Sequence, residues 1–192
     1  MKKIAFLAAA ACVALATPAM AQTSATGTVN VTGSVAAKCT AITPITGTIQ
    51  LNELALANGT VDTAFSSTTG GTPGLTKTFT VKCTSAAPTI TVSATSLDHS
   101  TTAASTGGYT GRVHYKATLA ADTAASTTVS AVYTTADTPP AAVSTPLGGP
   151  LANATGNVRI TVSNGATTNS GDLLRAGTYN VNGVITITVS PT

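Results

Sequence analysis

The chain has 192 residues, of which only 8% are charged, and its formal net charge is +3. A charge this small, without a cluster of lysine or arginine, disfavours nucleic acid as a partner, because phosphate binding requires several cations. The abundance of threonine, serine, alanine, glycine and valine favours a β protein with neutral polar faces.

Residues 1–21 have the pattern of a secretory signal peptide. Two lysines precede an apolar stretch at residues 4–16, and residues 19–21 form a cleavage site of the A-x-A type. Because this stretch is shorter than the roughly 20 residues that span a membrane, we expect an exported chain that is not membrane-spanning. A lipoprotein cleaved before Cys12 is the alternative, which the short apolar run before that cysteine disfavours.

Residues 22–192 are long enough for one domain with one core. Cleavage leaves two cysteines, Cys39 and Cys83. An isolated pair in an exported chain favours a disulfide. It would stabilise the fold by about 4 kcal/mol, because it closes a loop of roughly 45 residues in the unfolded chain. A reactive or metal-binding pair is the alternative, but zinc and iron–sulfur sites need more ligands at close spacing.

The mature chain begins with an alternating segment, residues 27–39. One face carries Val29, Val31, Gly33 and Val35, and the other carries threonine, asparagine and serine. This alternation predicts a strand with one buried face. Two interpretations stay open, because the strand could complete its own domain or pair with another molecule.

Further alternating segments predict more short strands. They are residues 48–56, 75–83, 89–94, 112–119, 129–133, 157–163 and 177–190. Within residues 112–119 we expect Arg112, His114 and Lys116 on the solvated face. No segment after the signal peptide has a 3.6-residue period, so the sequence predicts an all-β, antiparallel β-sandwich.

The segments between these strands predict loops and turns. Residues 58–73 and 97–108 predict loops, Asn164-Gly165 predicts a turn, and residues 172–176 predict a single helical turn. Residues 136–150 contain four prolines and cannot form an interior strand or helix. Their role is left open.

Three stretches resemble parts of chaperone–usher pilin subunits, in particular the spore coat protein U branch of that superfamily. They are the strand 27–39 that runs into a cysteine, the cysteine strand 79–83 followed by strand 90–94, and the ending 176–179 followed by a Val, Ile and Thr strand. The resemblance covers most of the mature chain in layout. It implies an N-terminal extension at residues 22–38 and an immunoglobulin-like sandwich at residues 39–192 that lacks one strand.

The resemblance also implies assembly by donor-strand exchange. A periplasmic chaperone would fill the open groove until, at an outer-membrane usher, the extension of the next subunit replaces it. The implied donor residues are Val29, Val31, Gly33 and Val35, and the implied acceptor groove is lined by Ile185, Ile187 and Val189. The expected product is a homo-polymer, a surface pilus or a coat-like fibre. Many pilins end in a tyrosine-bearing strand that engages the chaperone, whereas Pro191 stands near this end, which leaves the docking mode open.

The sequence predicts no catalytic residue, metal site or cofactor. Asp98, His99 and Ser100 have the residue types of a hydrolase triad, but neighbours on an extended chain point to opposite faces. A complete secreted sandwich that binds a ligand such as a carbohydrate is the alternative function. The lack of tryptophan and the presence of only four tyrosines disfavour it.

Overall fold

The computed structural model describes residues 28, 30–66 and 75–191. The predicted signal peptide and Val29 lie outside the described residues. The chain divides into two compact units, Met1–Ser34 and Val35–Thr192. In the first unit the described residues, 28 and 30–34, are in neither strand nor helix.

The described part of the second unit is all-β, with thirteen strands and no helix. The strands are β1 (Cys39–Ala41), β2 (Thr76–Phe79), β3 (Val81–Cys83), β4 (Thr89–Ala94), β5 (Leu97–His99), β6 (Tyr109–Thr110), β7 (Arg112–Asp122), β8 (Thr128–Thr134), β9 (Val143–Pro146), β10 (Val158–Ala166), β11 (Leu173–Leu174), β12 (Tyr179–Asn182) and β13 (Ile185–Ser190). Among these residues, no helix of a length and apolarity sufficient to cross a membrane is found.

Two main sheets pack face to face. The larger has the order β12-β5-β7-β10-β2, with β8 also paired to β7, and the smaller has the order β13-β4-β9. Strand β4 contacts β7 and β8 across the interface. Ile90 and Val92 from one sheet and Val113 and Leu119 from the other are fully buried in a shared core. This arrangement confirms the predicted all-β sandwich, whose main sheets are antiparallel.

The predicted disulfide is present. Strand β1 pairs with β3 so that Cys39 lies opposite Cys83, and an S–S bond joins them. The bond ties the start of the sandwich to the chain 44 residues later. Just before it, the Lys38 N–H donates to Thr84 Oγ1 at 3.0 Å, so the extension leaves the domain from a fixed point.

Some local predictions are wrong where tertiary packing overrides the pattern. Residues 48–56 form no regular strand, and only Ala55 makes an isolated bridge, with Val61. Residues 97–99, predicted as loop, are strand β5, and residues 173–174 are strand β11 rather than a helical turn. The turn signal Asn164-Gly165 is instead a bulge inside β10, where Asn164 has a φ of 55°.

The long final segment is two strands rather than one. Asn182 and Gly183 have positive φ values, 58° and 64°, and they separate β12 in the larger sheet from β13 in the smaller. A side chain at Gly183 would be strained by the positive φ. In addition, its Cβ would lie only 2.9 Å from Leu97 Cδ1. The proline-rich segment contributes only β9, at the edge of its sheet, which is where proline is tolerated.

Candidate functional site

A cleft of about 1010 Å³ lies between an edge strand of each main sheet. Strand β2 is the last strand of the larger sheet and β13 is the last of the smaller one. Lys77 and Phe79 of β2 line one side, and Ile185 and Ile187 of β13 line the other. The core of a closed sandwich would be covered at this position, whereas here it is open between the two edge strands.

Residues 45–55 form a further wall of the cleft. Ile49 and Leu51 are half-buried and pack against the core, while Thr48 and Gln50 are exposed. The segment therefore has the side-chain alternation of a strand, which the sequence predicted, but apart from the Ala55–Val61 bridge it is in no strand.

The inward side chains of β13 are incompletely covered. Ile187 pairs with Val92, which is fully buried, yet Ile187 itself is only half-buried. Thr186 and Thr188, on the other face of the strand, are exposed. In the described residues β13 pairs with β4 alone. The edge of β13 that faces away from β4 and the apolar face of β13 therefore both border the cleft.

The three predicted acceptor residues are placed differently by the structure. Ile185 and Ile187 line the cleft, whereas Val189 is not among its lining residues. Val189 pairs with Ile90 and packs, half-buried, against the core. Two of the three residues implied for the acceptor groove therefore line the cleft.

The floor of the cleft includes a buried tyrosine without a partner. Tyr115, on β7, is 3% exposed and lines the cleft. Its hydroxyl group is buried and has no hydrogen-bond partner within the described protein, and the same holds for Nε of Arg175 on the cleft wall. Burial raises the pKa of Tyr115, so that its hydroxyl stays protonated and able to donate. Sequence alternation placed Tyr115 inward, but no sequence signal identified its unpaired hydroxyl.

Tyr179 holds the wall at the other margin of the cleft. Its hydroxyl donates toward the backbone oxygens of Arg175, at 3.0 Å, and Thr110, at 3.3 Å. Its ring meets that of His99 edge to face, with centroids 5.3 Å apart. Burial raises the pKa of Tyr179. These contacts fix the segment between β11 and β12, which the sequence analysis did not assign to the groove.

A buried charge pair supports the strands behind this wall. Asp98 is 4% exposed, and its two carboxylate oxygens accept from Arg112 Nε at 2.8 Å and Nη2 at 3.1 Å. The Asn182 amide donates to the same carboxylate at 2.7 Å. Strands β5, β7 and β12 are thus joined by side chains as well as by backbone pairing.

His114 does not lie on a solvated face of β7, as the sequence predicted. It is 7% exposed rather than solvated, and its Nδ1 lies 2.8 Å from Ser96 Oγ. Its Nε2 lies 3.2 Å from Thr168 Oγ1. Burial is the main cause that lowers the pKa of His114. Other elements cover this part of the outer face of β7, which the alternation of a single strand could not reveal.

The three residues with triad chemistry take separate partners. Asp98 binds Arg112, as described above. His99 Nε2 lies 3.2 Å from the backbone oxygen of Ala176, and its Nδ1 lies 3.0 Å from Thr101 Oγ1. The Ser100 N–H donates to the backbone oxygen of Thr178. The structure therefore uses these residues to hold the chain ends of β5 and β12 together.

The predicted donor residues that are described are exposed. Val31 is 93% exposed and Val35 is 81% exposed. Gly33 has no heavy atom within 4 Å of the position its Cβ would take, apart from its own chain neighbours. Residues 30–38 are in no strand. The apolar face of the extension is therefore exposed at Val31 and Val35.

Comparisons of this chain with protein-family models, with curated proteins and with solved structures found no match.

Proposed function

We propose that this protein is a structural subunit of a surface pilus, a fimbria or a coat-like fibre, which polymerises by donor-strand exchange. The observation that carries the proposal is the cleft between β2 and β13, together with an exposed extension of matching pattern. Val31 and Val35 are large apolar side chains left in water, while Ile185 and Ile187 lack full cover. Each surface has the chemistry that would bury the other.

The geometry of strand addition accounts for both affinity and register. An incoming strand would pair its backbone with the free edge of β13 and direct alternate side chains into the cleft. Val29, Val31, Gly33 and Val35 repeat every second residue, as such a strand requires. A shift of one residue would direct the threonine, asparagine and serine face into an apolar cleft, so the register is strongly specified.

The donor segment is assigned to a second copy of the chain. The Lys38 N–H donates to Thr84 Oγ1 beside the disulfide, and residues 30–38 are in no strand. A chain of identical subunits can repeat this exchange without limit, which yields a homo-polymer. The family resemblance supports the immunoglobulin-like detail of the sandwich as part of the same proposal.

The uncovered cleft also supports a role for assembly factors. An exposed apolar edge promotes aggregation unless another strand covers it. A periplasmic chaperone would cover it after export, and an outer-membrane usher would direct its replacement by the next extension. The predicted signal peptide supports this route through the periplasm to the cell surface.

Deletion of residues 22–38 behind an intact signal peptide tests the proposal. We expect the shortened chain to remain folded by circular dichroism and to stay monomeric, whereas the full chain forms polymers in analytical ultracentrifugation. A matched control replaces Thr28, Thr32 and Ser34, on the polar face, with alanine and keeps assembly. If the full chain is itself monomeric and the shortened chain does not fold, the segment belongs instead to its own sandwich.

The second candidate function is a ligand-binding module. The cleft volume of about 1010 Å³ is comparable to that of small-molecule sites, which range from roughly 300 to 1,000 Å³. Tyr115 and Tyr179 in its lining would offer aromatic contacts to a sugar. Under this function the deletion would leave oligosaccharide binding unchanged and the full chain would be monomeric.

A further inference from the structure

Charged side chains are sparse both in the extension and along the cleft. Lys38 is the one charged residue of the predicted extension, residues 22–38. Of the described residues that line the cleft, three are charged, namely Glu53, Lys77 and Arg175, so that Glu53 supplies the one carboxylate. Lys38 and Glu53 are both exposed. The position of this carboxylate relative to Lys38 therefore bears on how a strand enters the cleft.

Lys38 lies at the disulfide end of the sandwich. It precedes Cys39, and its N–H donates to Thr84 Oγ1 at 3.0 Å. Strand β10 begins at the same end, because the side chain of Asn157, the residue before β10, accepts a hydrogen bond from the Val81 N–H of β3 at 2.9 Å. The start of β10 therefore marks the end of the sandwich from which the extension leaves.

Glu53 lies toward the opposite end. Strand β10 runs for nine residues, about 25 Å, away from the disulfide. Near its far end the Gly165 N–H donates to the backbone oxygen of Thr63, and the neighbouring Asp62 N–H donates to that of Leu54, the residue after Glu53. Lys38 and Glu53 of one chain are thus separated by most of the length of β10, far more than a lysine side chain spans. The two charges can meet only between copies of the chain.

A strand that enters beside β13 can run in either of two directions. In one direction its Lys38 emerges at the end of the cleft that carries Glu53. In the other direction Lys38 emerges at the disulfide end, where Lys82 and the acceptor's own Lys38 are exposed. Repulsion between like charges disfavours the second direction, whereas the Glu53 carboxylate favours the first.

We propose that Lys38 of one copy pairs with Glu53 of the copy whose cleft its extension fills, and that this pair selects the direction of strand entry. Val35 is three residues before Lys38, so about 10 Å of extended chain separates the last inward valine from the charge. Lys38 can thus reach the rim while Val35 stays in the cleft. The Glu53 carboxylate is held in place, because its Oε1 accepts from the Ala55 N–H at 3.0 Å. The inference rests on the proposed function and adds to it a specificity-determining contact between copies.

Charge reversal in the full mature chain tests the pair. Lys38→Glu places two carboxylates at every junction between copies, and Glu53→Lys places two ammonium groups there. An exposed ion pair changes an equilibrium by up to about 5-fold, and replacing attraction with repulsion roughly doubles the logarithm of that factor. At an ionic strength of about 0.01 M, we expect each variant to raise by about 3- to 20-fold the concentration at which half of the chains are polymerised, measured by sedimentation velocity.

Mixing the two variants separates pairing between copies from an effect within one chain. The Lys38→Glu chain keeps Glu53 and the Glu53→Lys chain keeps Lys38, so each extension meets the opposite charge only in the cleft of the other variant. The equimolar mixture should polymerise within about twofold of the concentration that the unmodified chain requires. Native mass spectrometry should find equal numbers of the two chains in its short oligomers. The double variant should also assemble, because it restores opposite charges at every junction.

Two controls keep the comparison specific. Lys116→Glu changes the net charge by the same amount on β7, outside the cleft lining, and should leave assembly within about twofold of the unmodified chain. Raising the ionic strength to about 1 M should bring both reversed variants close to the unmodified chain, because salt screens exposed charges. Circular dichroism of each variant checks folding.

The outcomes distinguish this inference from the proposed function. If the unmodified chain polymerises but the mixture assembles no better than either variant alone, or if neither reversal alters assembly, the pair is wrong and strand exchange stands. Recovery by the double variant without recovery by the mixture would likewise overturn a contact between copies. If the unmodified chain remains monomeric at all concentrations, the proposed function fails and this inference fails with it.

Discussion

The buried pair of Asp98 and Arg112 gives a sharp prediction about stability. The substitution Arg112→Ala removes the two guanidinium donors from the Asp98 carboxylate, whose side chain is only 6% exposed, and also removes the ion pair with Asp137 at 2.9 Å. Asn182 would remain as a hydrogen-bond donor but carries no charge. Removal of one partner from a buried ion pair typically costs 3–5 kcal/mol. Because the Arg112 side chain is 28% exposed and water can reach the site, we expect a loss of about 2–4 kcal/mol.

Urea denaturation of the full chain, followed by circular dichroism because the protein has no tryptophan, measures this loss. The matched control is Arg159→Ala, which breaks a pair with Asp122 at the same 2.8 Å distance but with side chains 33% and 36% exposed. We expect that control to cost less than about 1 kcal/mol. Adding Asp98→Asn to Arg112→Ala should recover part of the loss, because the uncompensated charge is removed. Equal, small effects of both arginine substitutions would refute the reasoning.

Three further predictions concern pH, the disulfide and the cleft. Burial lowers the pKa of His114 in the folded protein, so the unfolded chain takes up a proton first as the pH falls below about 6.5. The free energy of unfolding should therefore fall between pH 7.5 and pH 5.5, and His114→Asn should flatten that dependence. Replacing both cysteines of the disulfide with serine should cost about 4 kcal/mol in urea denaturation, and an unchanged midpoint would contradict the loop-closure argument. Ile187→Lys should abolish assembly in analytical ultracentrifugation while leaving the circular dichroism spectrum unchanged, whereas Thr188→Lys, on the exposed face, should assemble normally.

Alternation in the sequence was sufficient where one strand face meets the core. Strand β4 has the predicted bounds, and Ile90, Val92 and Ala94 are buried as expected. The disulfide followed from the number of cysteines in an exported chain. These features depend on local pattern or on composition, which a single sequence contains.

The remaining features depend on contacts that alternation does not encode. His114 has the spacing of a solvated residue, yet Ser96 and Thr168 from other elements cover it. Residues 48–56 have a strand pattern, but in the described structure only Ala55 makes a bridge, with Val61. The break between β12 and β13 falls at Asn182-Gly183, a dipeptide typical of turns, where both residues adopt positive φ.

The candidate site was predictable in part. The family resemblance implied Ile185, Ile187 and Val189 as groove residues, and Ile185 and Ile187 line the cleft whereas Val189 does not. The contribution of residues 45–55 and of the segment between β11 and β12 was not predictable, because it depends on how distant loops meet at the sheet edges. The unpaired hydroxyl of Tyr115 is likewise a property of the packed structure alone.

The central claim is that the extension of one copy fills the cleft of another. Mixing two defective chains tests it directly: one has an intact extension and Ile187→Lys in its cleft, and the other has an intact cleft but lacks residues 22–38. The account predicts that each chain alone is monomeric and that the mixture forms a one-to-one dimer, detected by native mass spectrometry, without longer polymers. A mixture that contains only folded monomers, when the unmodified chain forms polymers, would contradict exchange of this strand.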